Sequence, residues 1–149
     1  MIFKILTRGK AMRNIKEVRK EVEEMSDKLG EPVDPKIKEL VIGLRALGIE
    51  TIHSCQGHSG EGHGLPYPWI DLQPKDANKL LKVVYWYNIR AYQKRNINKV
   101  IAWTILPRAT IRLMPERKDI PLEKLQKSAV DFGKKIQKLK DIPKLYKYL

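Results

Sequence analysis

The side chains best suited to bind a metal ion or transfer a proton are crowded into one short stretch of this chain. All three histidines and the single cysteine lie in the segment H-S-C-Q-G-H-S-G-E-G-H, as His53, Cys55, His58 and His63. Imidazole and thiolate are ligands that zinc prefers, and both groups titrate near neutral pH. The clustering therefore predicts a functional site in residues 53–71.

The spacing of these residues is compatible with a common metal centre. Residues two apart on a strand point to the same side, so His53 and Cys55 project together. The glycine-rich segment that follows can turn back on itself, and Asp71 lies on the next predicted strand, where a hairpin return would place it opposite His53. We therefore expect a zinc site whose ligands are His53, Cys55, His58 and His63.

Three kinds of chemistry fit the cluster. Four protein ligands would make a structural zinc site, whereas three ligands and a water would support hydrolysis, with Glu61 or Asp71 as the general base. Without a metal, His58 or His53 could activate Cys55 as a thiolate nucleophile. No known zinc-finger, H-E-x-x-H or zinc-deaminase spacing is present, so the sequence leaves open whether the protein is an enzyme. The candidate catalytic residues are Cys55, His58, Glu61 and Asp71.

Charge is unevenly distributed along this basic chain. The formal net charge is +13, with an isoelectric point near 9.8, which favours nucleic acid or another polyanion as a partner. Residues 49–74 contain no Lys or Arg but include Glu50, Glu61 and Asp71. A phosphate site would be expected to contain a cation, so this segment favours a bound metal over a bound phosphate.

A second candidate site is a basic stripe on the third predicted helix. Its cations and one aromatic ring recur at steps of three or four residues, a pattern suited to phosphate contact and base stacking. The alternative interpretation is a solvated helix face on which Trp86 is covered by its neighbours. The stripe predicts RNA or another polyanion as a partner through Lys79, Lys82, Trp86, Arg90 and Lys94.

Hydrophobic periodicity predicts the elements that position these residues. Helices are expected over residues 13–29, from Pro35 (with Asp34 as N-cap) to Gly48, over 76–95, and from Pro121 to a stop at Pro143. Strands are expected over 49–54, 69–73, 100–106 and 109–114, with residues 1–6 as a candidate fifth strand. On the third helix, the residues expected to face inward are Ala77, Leu80, Leu81, Val84, Ala91 and Tyr92.

The order α-α-β-β-α-β-β-α predicts one α+β domain over residues 1–149. Its core would be a mostly antiparallel four-stranded sheet, or a five-stranded one, with helices packed on one face. No apolar run approaches the length of a membrane span, no signal-peptide pattern is present, and the lone cysteine cannot form an internal disulfide. These features predict a cytoplasmic protein without a membrane partner, and the abundance of Lys, Glu and Ile suggests a heat-adapted source.

The segment G-I-E-T-I-H-S-C-Q-G-H at residues 48–58, followed by P-W-I-D at 68–71, resembles small uncharacterised proteins of archaea, bacteria and phages. Those proteins have a T-x-x-S-C-x-G-H turn. The turn is also similar to S-S-C-S-G-[RK] in the wybutosine tRNA methyltransferase family, with Ser54, Cys55 and Gly57 at the matching positions. His58 stands where that family has a basic residue. The second resemblance implies tRNA and S-adenosylmethionine as ligands.

These observations favour a protein with a zinc site and metal-dependent hydrolase activity. One alternative is an RNA-binding or RNA-modifying module, methyltransferase-like, in which the His/Cys cluster is structural. A third interpretation is a plain partner-binding domain.

Overall fold

The computed structural model describes residues 12–26, 30–60, 64–94 and 99–144. Within these residues, four helices and four strands follow the predicted order, which confirms the α+β fold. The helices are α1 (Ile15–Glu24), α2 (Pro35–Ala46), α3 (Ala77–Lys94) and α4 (Leu122–Gln137), and a short 3₁₀ turn, Pro74–Asp76, precedes α3. The strands are β1 (Thr51–Cys55), β2 (Trp69–Leu72), β3 (Trp103–Pro107) and β4 (Ile111–Pro115). The candidate strand at residues 1–6 lies outside the described residues.

The four strands of this sheet are antiparallel and lie in the order β1-β2-β4-β3. The β1–β2 pairing places His53 opposite Asp71 and Cys55 opposite Trp69, so the predicted hairpin return is confirmed. Asp71 in turn lies opposite Arg112 on β4. Because residues directly opposite each other share a face of the sheet, all five of these side chains belong to the same face.

The other face of the sheet is apolar and packs against the helices. Ile70, Leu72 and Leu113 are fully buried there, and Trp103 is 1% exposed. They form one core with residues of all four helices, among them Val22, Leu40, Leu80 and Phe132. The indole Nε1 of Trp103 donates a hydrogen bond to Ser128 Oγ at 3.0 Å, so its one polar group is satisfied inside that core.

Helices α2 and α4 lie unusually close together because glycines stand where they meet. A Cβ atom at Gly133 would lie 2.3 Å from the backbone carbonyl carbon of Glu39, and one at Gly43 would lie 3.0 Å from Ile136 Cβ. Any larger residue at Gly133 would push the backbones apart. This close packing brings the first turns of α2 and α4 to the same end of β1.

Helix ends follow the predicted signals in one case and not in another. Pro35 begins α2, and Gly48 follows its end with a left-handed φ of +81°, as expected. Helix α1 is shorter than predicted because Met25 has extended backbone angles, φ −72° and ψ 141°. The expected last turn of that helix, residues 27–29, lies outside the described residues.

Helix α3 buries a different face from the one predicted. Leu80, Val84 and also Trp86 and Tyr87 are buried, whereas Leu81 and Tyr92 are 48% and 47% exposed. The helix is rotated because two large rings occupy the core, and the Tyr87 ring stacks on Phe132 at a centroid distance of 4.2 Å. Among the described residues, no helix is both long and apolar enough to cross a membrane.

Candidate functional site

The segment Cys55-Gln56-Gly57, here named the cysteine turn, is anchored to the N-terminal ends of two helices, α2 and α4. Gln56 N–H donates to the Asp34 carboxylate at 3.0 Å, and Gln56 O accepts from Gln126 Nε2 at 3.0 Å. The Gln56 side-chain oxygen accepts from the Lys36 N–H at 3.1 Å. The Asp34 side chain therefore binds the cysteine turn. It precedes α2 but accepts no capping hydrogen bond from that helix.

Gly57 is required at its position by both conformation and space. Its φ is +90°, and a Cβ atom there would lie 2.7 Å from Leu122 Cδ1 and 2.8 Å from the carbonyl carbon of Tyr67. The Gly57 N–H donates to Cys55 Sγ at 3.4 Å, and the next residue, His58, donates its N–H to Leu65 O at 2.9 Å. The glycine of the C-x-G-H pattern therefore has a structural explanation that requires no ligand.

The surroundings of Cys55 favour the protonated thiol over the thiolate. Its side chain is partly buried, and burial raises the pKa of the thiol above its ordinary value. The Asp34 carboxylate raises it further, while the Gly57 N–H and the Arg112 guanidinium lower it. A nucleophilic cysteine needs the opposite shift, so this environment runs against the interpretation of Cys55 as an activated thiolate.

The remaining members of the predicted cluster do not form a metal centre within the described part of the chain. His53, on β1, and His58, after the cysteine turn, are both exposed. No group of three or more His, Cys, Asp or Glu side chains among the described residues is arranged to hold a metal ion. Glu61 and His63 lie outside those residues. The zinc site, its hydrolase activity and the roles of His58 and Glu61 in it stay predictions.

Asp71 forms an ion pair that sequence reasoning missed. Arg112 donates from Nε to Asp71 Oδ1 at 2.8 Å and from Nη2 to Oδ2 at 3.0 Å. The hydrogen bonding raises the pKa of Arg112, and its guanidinium lies 4.0 Å from the centroid of the Trp69 ring. Both oxygens of the proposed general base are thus occupied by a cation. Residues 49–74 contain no Lys or Arg, but in the folded chain Arg112 of β4 supplies a positive charge beside Asp71.

The predicted basic stripe on α3 is only partly accessible. Lys82, Arg90 and Lys94 are exposed and Lys79 is partly buried, but Trp86 is 5% exposed and belongs to the core. Arg90 lies over the Trp86 ring, 5.2 Å from its centroid. The prediction of Trp86 as a stacking platform for bases is therefore wrong, because the core holds its ring.

A cleft of about 850 Å³ lies between the C-terminal half of α3 and one side of α4, from Lys124 to Lys135. Residues 99–101 and 117–121 complete its walls, and Tyr87 also lines it. Two lining residues are acidic, Asp119 and Asp131, and six are cationic. We name this surface the basic cleft; its cations are Lys94, Lys99, Arg117, Lys124, Lys127 and Lys135.

Half of the cations of the basic cleft have acidic partners. Arg117 binds Asp119 at 2.9 Å and lowers the pKa of that carboxyl group. Lys135 binds Asp131 at 3.1 Å, and Lys127 binds Glu123 at 3.4 Å. The others, within the part of the chain that the structure describes, form no ion pair: Lys94, Lys99 and Lys124. Only Lys94 belongs to the stripe predicted from the sequence, because the rest lie outside α3.

Comparison of the chain with protein-family models, with curated proteins and with solved structures found no match. The resemblance of the cysteine turn to the T-x-x-S-C-x-G-H proteins and to the wybutosine tRNA methyltransferase family stays a prediction from the sequence.

Proposed function

We propose that the protein binds RNA through the basic cleft. The observation that supports this proposal is the convergence of six cationic side chains on one concave surface that has two acidic ones. The three positive charges left after the ion pairs of this surface attract phosphates more strongly in a cleft than on a convex surface, because the low-dielectric walls focus the field. The net charge of +13 would speed the first encounter.

The composition of the basic cleft suits a phosphate backbone. Lysine side chains are flexible and can contact successive phosphates without a fixed geometry. Among the described residues, Lys94, Lys99 and Lys124 form no ion pair, so none has to break before they bind phosphate. The first turn of α4 also borders the cleft, at Pro121 and Lys124. The positive end of the helix dipole adds to the same potential.

Three lysines of the basic cleft provide the test. The triple variant Lys94→Gln, Lys99→Gln, Lys124→Gln removes three charges from the cleft, and labelled tRNA reports binding by fluorescence anisotropy between 50 and 200 mM KCl. The slope of log affinity against log salt is negative, and each lost phosphate contact makes it less steep by about 0.7–0.9. If all three lysines contact phosphate, affinity falls by about a hundredfold at 0.1 M salt.

A matched control removes the same charge from elsewhere. Lys134, Lys138 and Lys140 are exposed and do not line the basic cleft, so Lys134→Gln, Lys138→Gln, Lys140→Gln should keep most of the wild-type salt slope. Equal losses in the two triple variants would mean that binding follows net charge alone. An absence of salt-dependent binding by the wild-type protein would reject the proposed function.

A further inference from the structure

A smaller hollow, of about 320 Å³, lies beside the basic cleft on the neighbouring face of α4. We name it the α4 hollow; its lining residues are Lys36, Glu123, Gln126, Lys127 and Val130. Lys127 lines both the hollow and the basic cleft. The two surfaces therefore meet at this side chain, and one extended ligand can occupy both.

The walls of the α4 hollow are mostly apolar, although four of its five lining residues are polar or charged. The methylene stems of those residues line it together with Val130, and their polar ends lie toward the rim. Glu123 supplies the one carboxylate, which Lys127 binds at 3.4 Å. Lys36 Nζ donates to Gln126 Oε1 at 3.2 Å and forms no ion pair with any residue that the structure describes. An apolar hollow with such a cation suits a ligand that joins a flat apolar part to an anion.

We propose that the α4 hollow binds an unpaired base of the RNA whose phosphates are held by the basic cleft. The inference rests on the proposed function, because Lys127 connects the two surfaces. A paired base is enclosed within its duplex and cannot enter, so the hollow selects unpaired nucleotides. None of the five lining residues is aromatic, so apolar contact holds the base and we expect little discrimination among the four bases.

An RNA that lacks bases tests the proposal. The probes are a labelled 12-nucleotide polyuridine and an abasic ribose-phosphate oligomer of the same length and charge, with binding followed by fluorescence anisotropy. We expect the wild-type protein to bind polyuridine roughly tenfold more tightly, the effect of removing about 55 Å² of apolar surface from water. Val130→Gln fills the hollow with a longer polar side chain and changes no charge. That variant should bind both probes with the affinity that the wild-type protein has for the abasic one.

Two further substitutions are matched controls. Leu81→Gln replaces an exposed leucine that lines neither surface and should keep the tenfold preference. Lys36→Gln should weaken both probes alike and make the salt slope less steep by about 0.7, because it removes a phosphate contact but no contact with the base. Lys38→Gln removes a lysine of the same helix that binds Glu23 at 2.9 Å and does not line the hollow, so its salt slope should not change.

The preference for polyuridine over the abasic oligomer separates this inference from the cleft proposal. Equal affinity of the wild-type protein for the two probes would reject the base site and leave the cleft proposal in place, provided that the triple lysine variant still loses affinity. A preference that Val130→Gln retains, or that Leu81→Gln also loses, would reject the base site too. If sedimentation shows a dimer that Val130→Gln dissociates, a second copy covers the hollow instead. No RNA binding by the wild-type protein would reject both proposals.

Discussion

The cysteine turn and the basic cleft differ in how their polar groups are satisfied. In the cysteine turn, the main-chain donor and acceptor of Gln56 and its side-chain oxygen all have partners in the chain. In the basic cleft, Lys94, Lys99 and Lys124 form no ion pair with any described residue. Reactive residue types that cluster in the sequence can therefore reflect a turn whose polar groups bond within the chain. A surface with unpaired charges, by contrast, can be identified only from the folded structure.

Arg112→Gln gives the largest expected effect on the region around the cysteine turn. The side chains of Asp71 and Arg112 are 10% and 14% exposed, so the substitution leaves a nearly buried carboxylate without its cation. We expect a loss of about 3 kcal/mol in the free energy of unfolding, part of it from the lost contact with Trp69. Urea unfolding at pH 7, followed by tryptophan fluorescence, measures it.

The equivalent substitution at the basic cleft is the control for that experiment. Arg117→Gln removes one positive charge from the pair with Asp119, whose side chains are 53% and 69% exposed. Solvent already screens both charges there, so we expect little change in stability. Similar losses for the two variants would contradict the view that the first region depends on internal pairing and the second does not.

Gly57→Ala should have the next largest effect. The added Cβ atom would meet Leu122 and the backbone of Tyr67 at a residue whose φ is +90°, and we expect a loss of about 2 kcal/mol. Gly30→Ala separates the two causes, because Gly30 has a φ of +82° and a Cβ atom there would meet nothing within 4 Å. That variant should lose about 1 kcal/mol from conformation alone. Equal losses would show that packing around Gly57 is not restrictive.

Much of the fold could be predicted from local pattern. Apolar periodicity gave the order of the eight elements, and Gly48 marks the end of α2 as expected. The pairing of His53 with Asp71 followed from two consecutive strands joined by a glycine-rich return. These features depend on residues close together in the chain, where spacing alone constrains the geometry.

The rest depends on contacts between distant segments. The spacing of residues on α3 does not predict that Trp86 and Tyr87 are buried, because their burial depends on packing against Phe132 and its neighbours in the core. Arg112 reaches Asp71 only after β4 pairs with β2. The basic cleft is likewise assembled from residues of two helices and two connecting segments. Neither the ion pair nor the cleft leaves a periodic signal in the sequence.

The reactivity of Cys55 should show the smallest effect and the most direct pH dependence. Since its pKa is raised in the folded protein, the thiolate fraction at pH 8 is lower than in an unfolded chain. Alkylation by iodoacetamide should be several-fold slower than in 8 M urea, and the pH at which the rate is half-maximal should shift upward on folding. Mass spectrometry of the alkylated protein gives both quantities. A folded-state rate equal to or above the unfolded rate would contradict the packed, protonated thiol.

The same reaction separates a packed thiol from a metal ligand. A cysteine that binds zinc does so as thiolate and is shielded from alkylation, so one equivalent of added zinc would stop the reaction and a chelator would restore it. A thiol held only by Gly57 and by burial should react at the same rate with and without zinc. Protection by zinc that His58→Ala abolishes would support the predicted metal centre, and it would place function in the cysteine turn as well as in the basic cleft.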